Sequence, residues 1–125
     1  MALSDEQTAK IVALAMDLAR QGNAAGMLEF VDHGLPLDVQ DAEGNTMLML
    51  AAYHGQADAV RALVDRGADV DLRNARDQAP IAGALFKGEE EVVAVLREAG
   101  ADLDAGTPSA RATAEMFGRT HLLEG

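Results

Sequence analysis

The sequence predicts an all-α solenoid in which short helix–turn–helix units stack side by side, and three observations carry that expectation. The pentapeptide GADVD at 67–71 returns as GADLD at 100–104, a shift of 33 residues. Between the two copies lie two runs of helical periodicity, each closed by a glycine. Apolar residues make up 49% of the chain, yet only Phe30, Tyr53, Phe86 and Phe117 are aromatic. A core built from Ala, Val, Leu and Met suits thin helices packed closely.

The repeat extends well beyond the pentapeptide. When 41–73 is set above 74–106, nine of 33 columns are identical: Ala42/Ala75, Ala51/Ala84, Gly55/Gly88, Val60/Val93, Leu63/Leu96, Gly67/Gly100, Ala68/Ala101, Asp69/Asp102 and Asp71/Asp104. Ordinary composition would give roughly two or three by chance. Leu48/Ile81, Tyr53/Phe86 and Val70/Leu103 are conservative mismatches. A period of 33 with two helices per unit indicates stacked repeats.

Taken in chain order, the first element opens at Ser4. Gln7 three residues later completes a capping box for a helix through about Arg20, and Ile11, Val12, Leu14 and Leu18 make it an N-terminal cap. Gly22, Met27, Phe30, Val31 and Gly34 then fall 33 residues before Gly55, Val60, Leu63, Val64 and Gly67, so HGLPLD (33–38) is a degenerate form of RGADVD. TMLMLAAYH (46–54) forms the next helix, with Thr46 as its cap and Gly55 as its left-handed stop. ADAVRALVDR (57–66) forms the helix that pairs with it, with Val60, Leu63 and Val64 on one face and Gly67 at its end. GEEEVVAVLREAG repeats that plan, and Glu89, Glu90 and Glu91 favour the positive end of the helix dipole. Finally TAEMFGRTHLL (113–123) aligns with LAAYHGQADAV once three loop residues are deleted. These readings divide a single domain, 1–125, into a cap unit 1–40, repeats 41–73 and 74–106, and a shortened cap 107–125. The returning pentapeptide is a helix stop and turn needed once per unit, its aspartates accepting bonds from turn amides.

GNTMLMLAAYHG (44–55), followed by VRALV and GADVD, resembles the ankyrin repeat pattern G-x-T-P-L-H-x-A-A-x-x-G, V-x-x-L-L, G-A-D-V-N. DQAPIAGALFKG (77–88) resembles it less closely. The Thr-Pro pair is split between Thr46 and Pro80, and Met49 and Ala82 stand where the family has His. The resemblance covers about 20–124. It implies a small stand-alone repeat protein with a concave surface of loop tips and inner helices, where family members bind other proteins and rarely catalyse.

The family's contact positions, carried onto this chain, give a specific surface. The loops contribute Gln40, Ala42, Glu43, Asn45, Arg73, Ala75, Arg76 and Gln78; the inner-helix ends contribute Tyr53, His54, Phe86, Lys87, Met116 and Phe117. Three of the four aromatics then share one strip, beside the cations Arg73, Arg76 and Lys87 and a single acid, Glu43. In a chain of net charge −11, that local reversal points to a protein segment with apolar anchors and acidic character. The bland reading is that the rings cover helix ends and the arginines are simply solvated. Asp58, Asp65, Glu89, Glu90, Glu91 and Glu98 are expected on the outer helices as solubilising charge.

The same charge argues against nucleic acid and anionic membranes as partners, because phosphate binding needs clustered Lys and Arg. No apolar run approaches the roughly 20 residues of a membrane span, and MALSDEQTAK is acidic where a signal peptide is basic. A cytoplasmic, monomeric chain is the expectation. Cysteine is absent, so disulfides and thiolate sites are too. His33, His54 and His121 have no metal-ligand spacing, with a helix-end role expected for His33. DVDLRNARDQAP (69–80) begins like a calcium loop but has Asn74 at the required glycine and Pro80 at the closing glutamate. GALFKG lacks phosphate-loop spacing, and Ser4 and Ser109 sit in no nucleophile elbow. Met47, Met49 and Met116 are read as core filling rather than soft-metal ligands.

The expectation is therefore a non-enzymatic interaction module with no cofactor, metal or catalytic residue. Two other classes are weighed against it. A ligand-binding or catalytic pocket on the concave face would show a buried, pKa-shifted carboxylate or histidine. Self-association would use Met116 and Phe117 at the open end.

Overall fold

Ser4 opens the first helix as its spacing to Gln7 requires. Its hydroxyl accepts the Gln7 amide at 3.1 Å and the Gln7 side chain accepts the Ser4 amide at 2.9 Å. In the computed structural model, which describes residues 3–124, this helix is α1, Asp5–Gln21. Met1, Ala2 and Gly125, the extremes of the expected domain, lie outside the described residues. Asn23 caps α2, Ala24–Asp32, and Thr46 caps α3, Met47–Tyr53. Next come α4, Ala57–Asp65, and α5, Pro80–Lys87, which begins on the proline that tolerates a first turn. The chain continues with α6, Glu90–Glu98, then α7, Ala110–Met116, capped by Ser109, and a 3-10 turn at Thr120–Leu123. No strand occurs among the described residues.

The helices stack in two rows. α1, α3, α5 and α7 form the inner row, each packed on the next; α2, α4 and α6 form the outer row, and the 3-10 turn closes it against α6. Each inner helix also packs on the outer element that follows it. The core lies between the rows, where Met27, Met47, Leu63, Ile81, Leu85 and Leu96 are fully buried. Each such side chain contributes about 1.5–3 kcal/mol. Met47 fills this core as expected, whereas Met49 is buried on the concave side of α3 and Met116, also expected as core filling, is left mostly exposed at the end of α7 because no further unit covers it in the structure. On α1 the buried face is Val12, Ala15, Met16 and Ala19, whereas Leu14 remains 56% exposed. Leu14 stands on the side of α1 away from the stack, where no unit precedes it in the structure.

Gly55 and Gly88 follow the inner helices at φ 71° and 73°, the left-handed stops expected from the sequence. The aspartates of the repeated pentapeptide do two jobs. Asp69 and Asp102 accept the amides of Asp71 and Asp104, at 3.0 and 2.9 Å, within their own turns. Asp38 and Asp71 accept the amides of Asp69 and Asp102, at 3.0 and 2.8 Å, in the next unit. The second job holds neighbouring turns in register, and the sequence reading did not anticipate it.

Candidate partner-binding face

Two loop tips project beside the inner helices, and one side chain shapes each. Asp41 Oδ1 accepts the amides of Glu43 and Asn45, both at 2.9 Å. Asn74, the equivalent residue one unit later, accepts those of Arg76 and Gln78, both at 3.0 Å. The Ala75 amide donates to the Glu43 carbonyl at 3.0 Å and ties the tips together. A side chain at Gly44 would meet the Ala75 nitrogen at 2.6 Å, so only glycine permits that approach.

Asn74 also sets the polarity of its neighbours. Its oxygen is occupied by the turn, so its Nδ2 must donate, and it does so to Asn45 Oδ1 at 2.9 Å and Gln78 Oε1 at 2.8 Å. With their oxygens engaged by Asn74, Asn45 and Gln78 have their amide nitrogens left to act as donors.

The expected aromatic strip forms on the ends of α3, α5 and α7. Tyr53 and Phe86 are parallel with centroids 6.3 Å apart, and Phe86 meets Phe117 edge-on at 5.2 Å. The rings touch one another and remain open to solvent, with Tyr53 36%, Phe86 48% and Phe117 45% exposed, and Met116 61%. Contact with the next unit therefore leaves about half of this surface uncovered. Tyr53, Gln78, Phe86, Met116 and Phe117 line a depression of about 400 Å³, floored by Met49, Ala82 and Gly83. A second depression, about 290 Å³, shares Met49, Tyr53 and Gln78 with the first and adds Asn45, His54, Arg76, Arg20 and Glu43. Arg73 and Lys87 line neither of them.

The electrostatics correct one expectation. Arg73 does not face the strip as a free cation, because its Nε lies 3.3 Å from Asp77 Oδ1. Asp77, four residues on, is thus a second acid beside the strip, in addition to the expected Glu43. Lys87 Nζ sits 5.3 Å from the centre of the Tyr53 ring, a cation–π contact that holds it at the strip's edge. Arg76 makes no ion pair with any described residue. Arg119, missed in the sequence, packs over Phe117 at 5.5 Å and donates to the carbonyls of Leu85 and Phe86, both at 3.0 Å. Gly83 and Arg20 were missed as well. The period placed Gly83 over Leu50, and a glycine replacing a leucine on an inner helix is a legible sign of a recess.

On the opposite side, Asp32 is held below the usual carboxylate range by a hydrogen bond from Arg66, 2.9 Å away, which raises Arg66 in turn. Arg61 is raised in the same way by Glu91. These groups bridge outer helices and lie away from the strip. Buried polar side chains among the described residues are Thr46 and Thr113, both hydrogen-bonded. His54 and Glu43, the imidazole and carboxylate of the second depression, are exposed. His33, at the end of α2, places Nδ1 2.8 Å from the Glu29 carbonyl. Among the described residues no three His, Asp or Glu side chains gather as metal ligands, and no helix is long and apolar enough to cross a membrane.

A family model described as ankyrin repeats, three copies, matches residues 15–107. No curated protein matches the chain. Among solved structures, the crystal structure of the human ASB11 ankyrin repeat domain superposes with a TM-score of 0.66 at 24% identity. The match covers 71% of this chain and 40% of that one, so it spans less than half of that domain's length. It shows the shared fold.

Proposed function

Because the chain belongs to the ankyrin repeat family, whose members are generally non-enzymatic protein-interaction modules, we propose that it acts as an adaptor or regulator that binds a protein partner on this concave face. Asn45, Tyr53, His54, Arg76, Gln78, Phe86, Met116 and Phe117 line the contact, and Arg73 and Lys87 stand at its margin. The observation that carries the reading is the run of three touching, half-exposed aromatic rings beside an unpaired arginine, in a chain of net charge −11. Rings and arginines dominate interface hot spots because they desolvate large area at low entropy cost. The helix rows and the hydrogen-bonded tips hold the face in shape before contact, so little ordering entropy opposes association. Its partner offers apolar anchors with carboxylates among them.

Capture from lysate of the source cell, with wild type beside a Tyr53→Ala, Arg76→Glu, Phe86→Ala variant shown by circular dichroism to fold, tests the assignment. A partner retained by wild type and lost by the variant is the expected result. Equal retention by both would move the interface off this face.

A further inference from the structure

The two depressions on the concave face belong to a longer trough. A third, of about 500 Å³, lies between α1 and the first loop tip. It shares Arg20 and Glu43 with the middle depression, which in turn shares Met49, Tyr53 and Gln78 with the aromatic one. The three therefore adjoin one another in order along the stack, and their chemistry changes in the same order.

At the α5–α7 end the row is apolar, with a recess over Gly83, where an added Cβ would meet nothing closer than Tyr53 at 3.6 Å. In the middle it is rich in donors. Asn45 and Gln78 have their nitrogens left as donors because Asn74 holds their oxygens, and Arg76, which makes no ion pair with any described residue, stands beside them. Glu43 is the one carboxylate there. At the α1 end the sign reverses, with Asp5, Asp17, Asp41 and Glu43 against Arg20 alone, and Arg20 is already paired with Asp17 at 2.8 Å.

We propose that this trough reads an extended segment of the partner carrying an apolar residue, an internal Asp or Glu, and a Lys or Arg, in that spatial order. The proposal rests on the concave-face reading and specifies what that face selects. Charge complementarity assigns the middle and α1 positions. Three depressions adjoining in a row suit a chain lying along all of them, which favours a side-chain carboxylate over a chain terminus at the middle one. The three depressions centre on α5, α3 and α1. Packed helices lie about 8–10 Å apart and an extended chain advances about 3.3 Å per residue, so the three readout positions fall about three residues apart.

The test is a displayed library of random 12-residue peptides selected against the full chain, followed by fluorescence anisotropy on the enriched consensus made synthetically. Expected is enrichment of an apolar residue, an acid about three positions away and a base about three further, running in either chain direction. Arg76→Glu should weaken the consensus peptide at least tenfold, and replacing the peptide's acid with Lys should restore binding to that variant. Gly83→Leu, which fills the apolar recess, should weaken binding by a similar factor while the helical spectrum is unchanged. Enrichment without the acid at that spacing, or a loss on Arg76→Glu that the swapped peptide does not rescue, overturns the proposal. Failure to enrich any peptide also overturns it, while leaving the broader reading to a folded partner and the lysate experiment. Should the consensus bind the triple variant as well as wild type, both readings fall.

Discussion

Gly83 lies inside α5 with helical backbone angles, so nothing in its conformation demands glycine. An added methyl would rest 3.6 Å from Tyr53 and 3.9 Å from Met49, ordinary contact distances. Glycine in a helix interior is worse than alanine by about 0.5–1 kcal/mol. Gly83→Ala should therefore raise the melting temperature by about 2–5 °C while shrinking the apolar recess and weakening partner binding. Gly55→Ala should do the opposite to stability. At φ 71° a side chain is strained, and its Cβ would fall 2.5 Å from Glu89 Oε2, so a loss of about 1–2 kcal/mol is expected in urea unfolding. A gain from Gly55→Ala would refute the left-handed stop. At this scale the sequence was only partly legible. The period identified Gly55 as a helix stop and placed Tyr53 and Phe86, 33 apart, in one slot; the three-residue deletion puts Met116 in that slot and Phe117 in the neighbouring slot of His54. It did not reveal that Asp77 pairs with Arg73, or that Asn74 engages the oxygens of Asn45 and Gln78. Those pairings depend on how the loop tip curls back, and residue spacing alone does not encode that curl.

The helices themselves were legible, since caps, glycine stops and apolar periodicity agree along the chain. What the period concealed is a side chain joining units at one repeated position, the residue before α4, α6 and the 3-10 turn. Gln56 there donates from Nε2 to the Arg20 carbonyl at 2.8 Å, at the end of α1. Arg119 donates to the last carbonyls of α5. Glu89 occupies the same slot beside Gly55 at the end of α3, where its side chain carries only oxygens and lacks the N–H that Gln56 donates. Glu89→Gln should place a donor on the Tyr53 carbonyl, as Gln56 does one unit earlier, and stabilise the fold by about 0.5–1 kcal/mol. Arg119→Ala should lose about 1–2 kcal/mol, because it strips two charge-assisted bonds from the α5 terminus. Thermal unfolding of the two variants checks both signs, and a destabilised Glu89→Gln would sink the shared-slot argument. The outer helices are joined instead by ion pairs, Arg66 to Asp32 and Arg61 to Glu91. Asp32 titrates below its ordinary range, so the pair's small contribution is complete above the unfolded-state pKa and fades as pH falls through the folded one. In Arg66→Gln the Asp32 carboxylate should titrate at higher pH by NMR, while its unchanged position would mean that the contact does not form in solution.

Across the whole molecule, stability and recognition draw on different ranges of electrostatics. A stack in which each unit contacts only its neighbours holds together mainly through apolar packing and hydrogen bonds, which salt hardly touches, with the exposed ion pairs adding little. Partner encounter instead samples the summed field of a chain with 21 acidic and 10 basic side chains. At about 10 mM salt the screening length is about 30 Å, comparable to the molecule, and an acid-bearing partner meets the full negative field. Near 150 mM it contracts to about 8 Å, which removes most of that repulsion and spares contacts such as a carboxylate on Arg76. The association rate of an acidic partner peptide should therefore rise several-fold between these conditions, with a smaller change in its dissociation rate. Stopped-flow anisotropy across the salt range reads both rates directly. A steady fall in the association rate from the lowest salt would mean that the cations around the aromatic strip govern the approach. The acidic outer helices would then be too distant to matter, and the trough would steer its partner as well as select it.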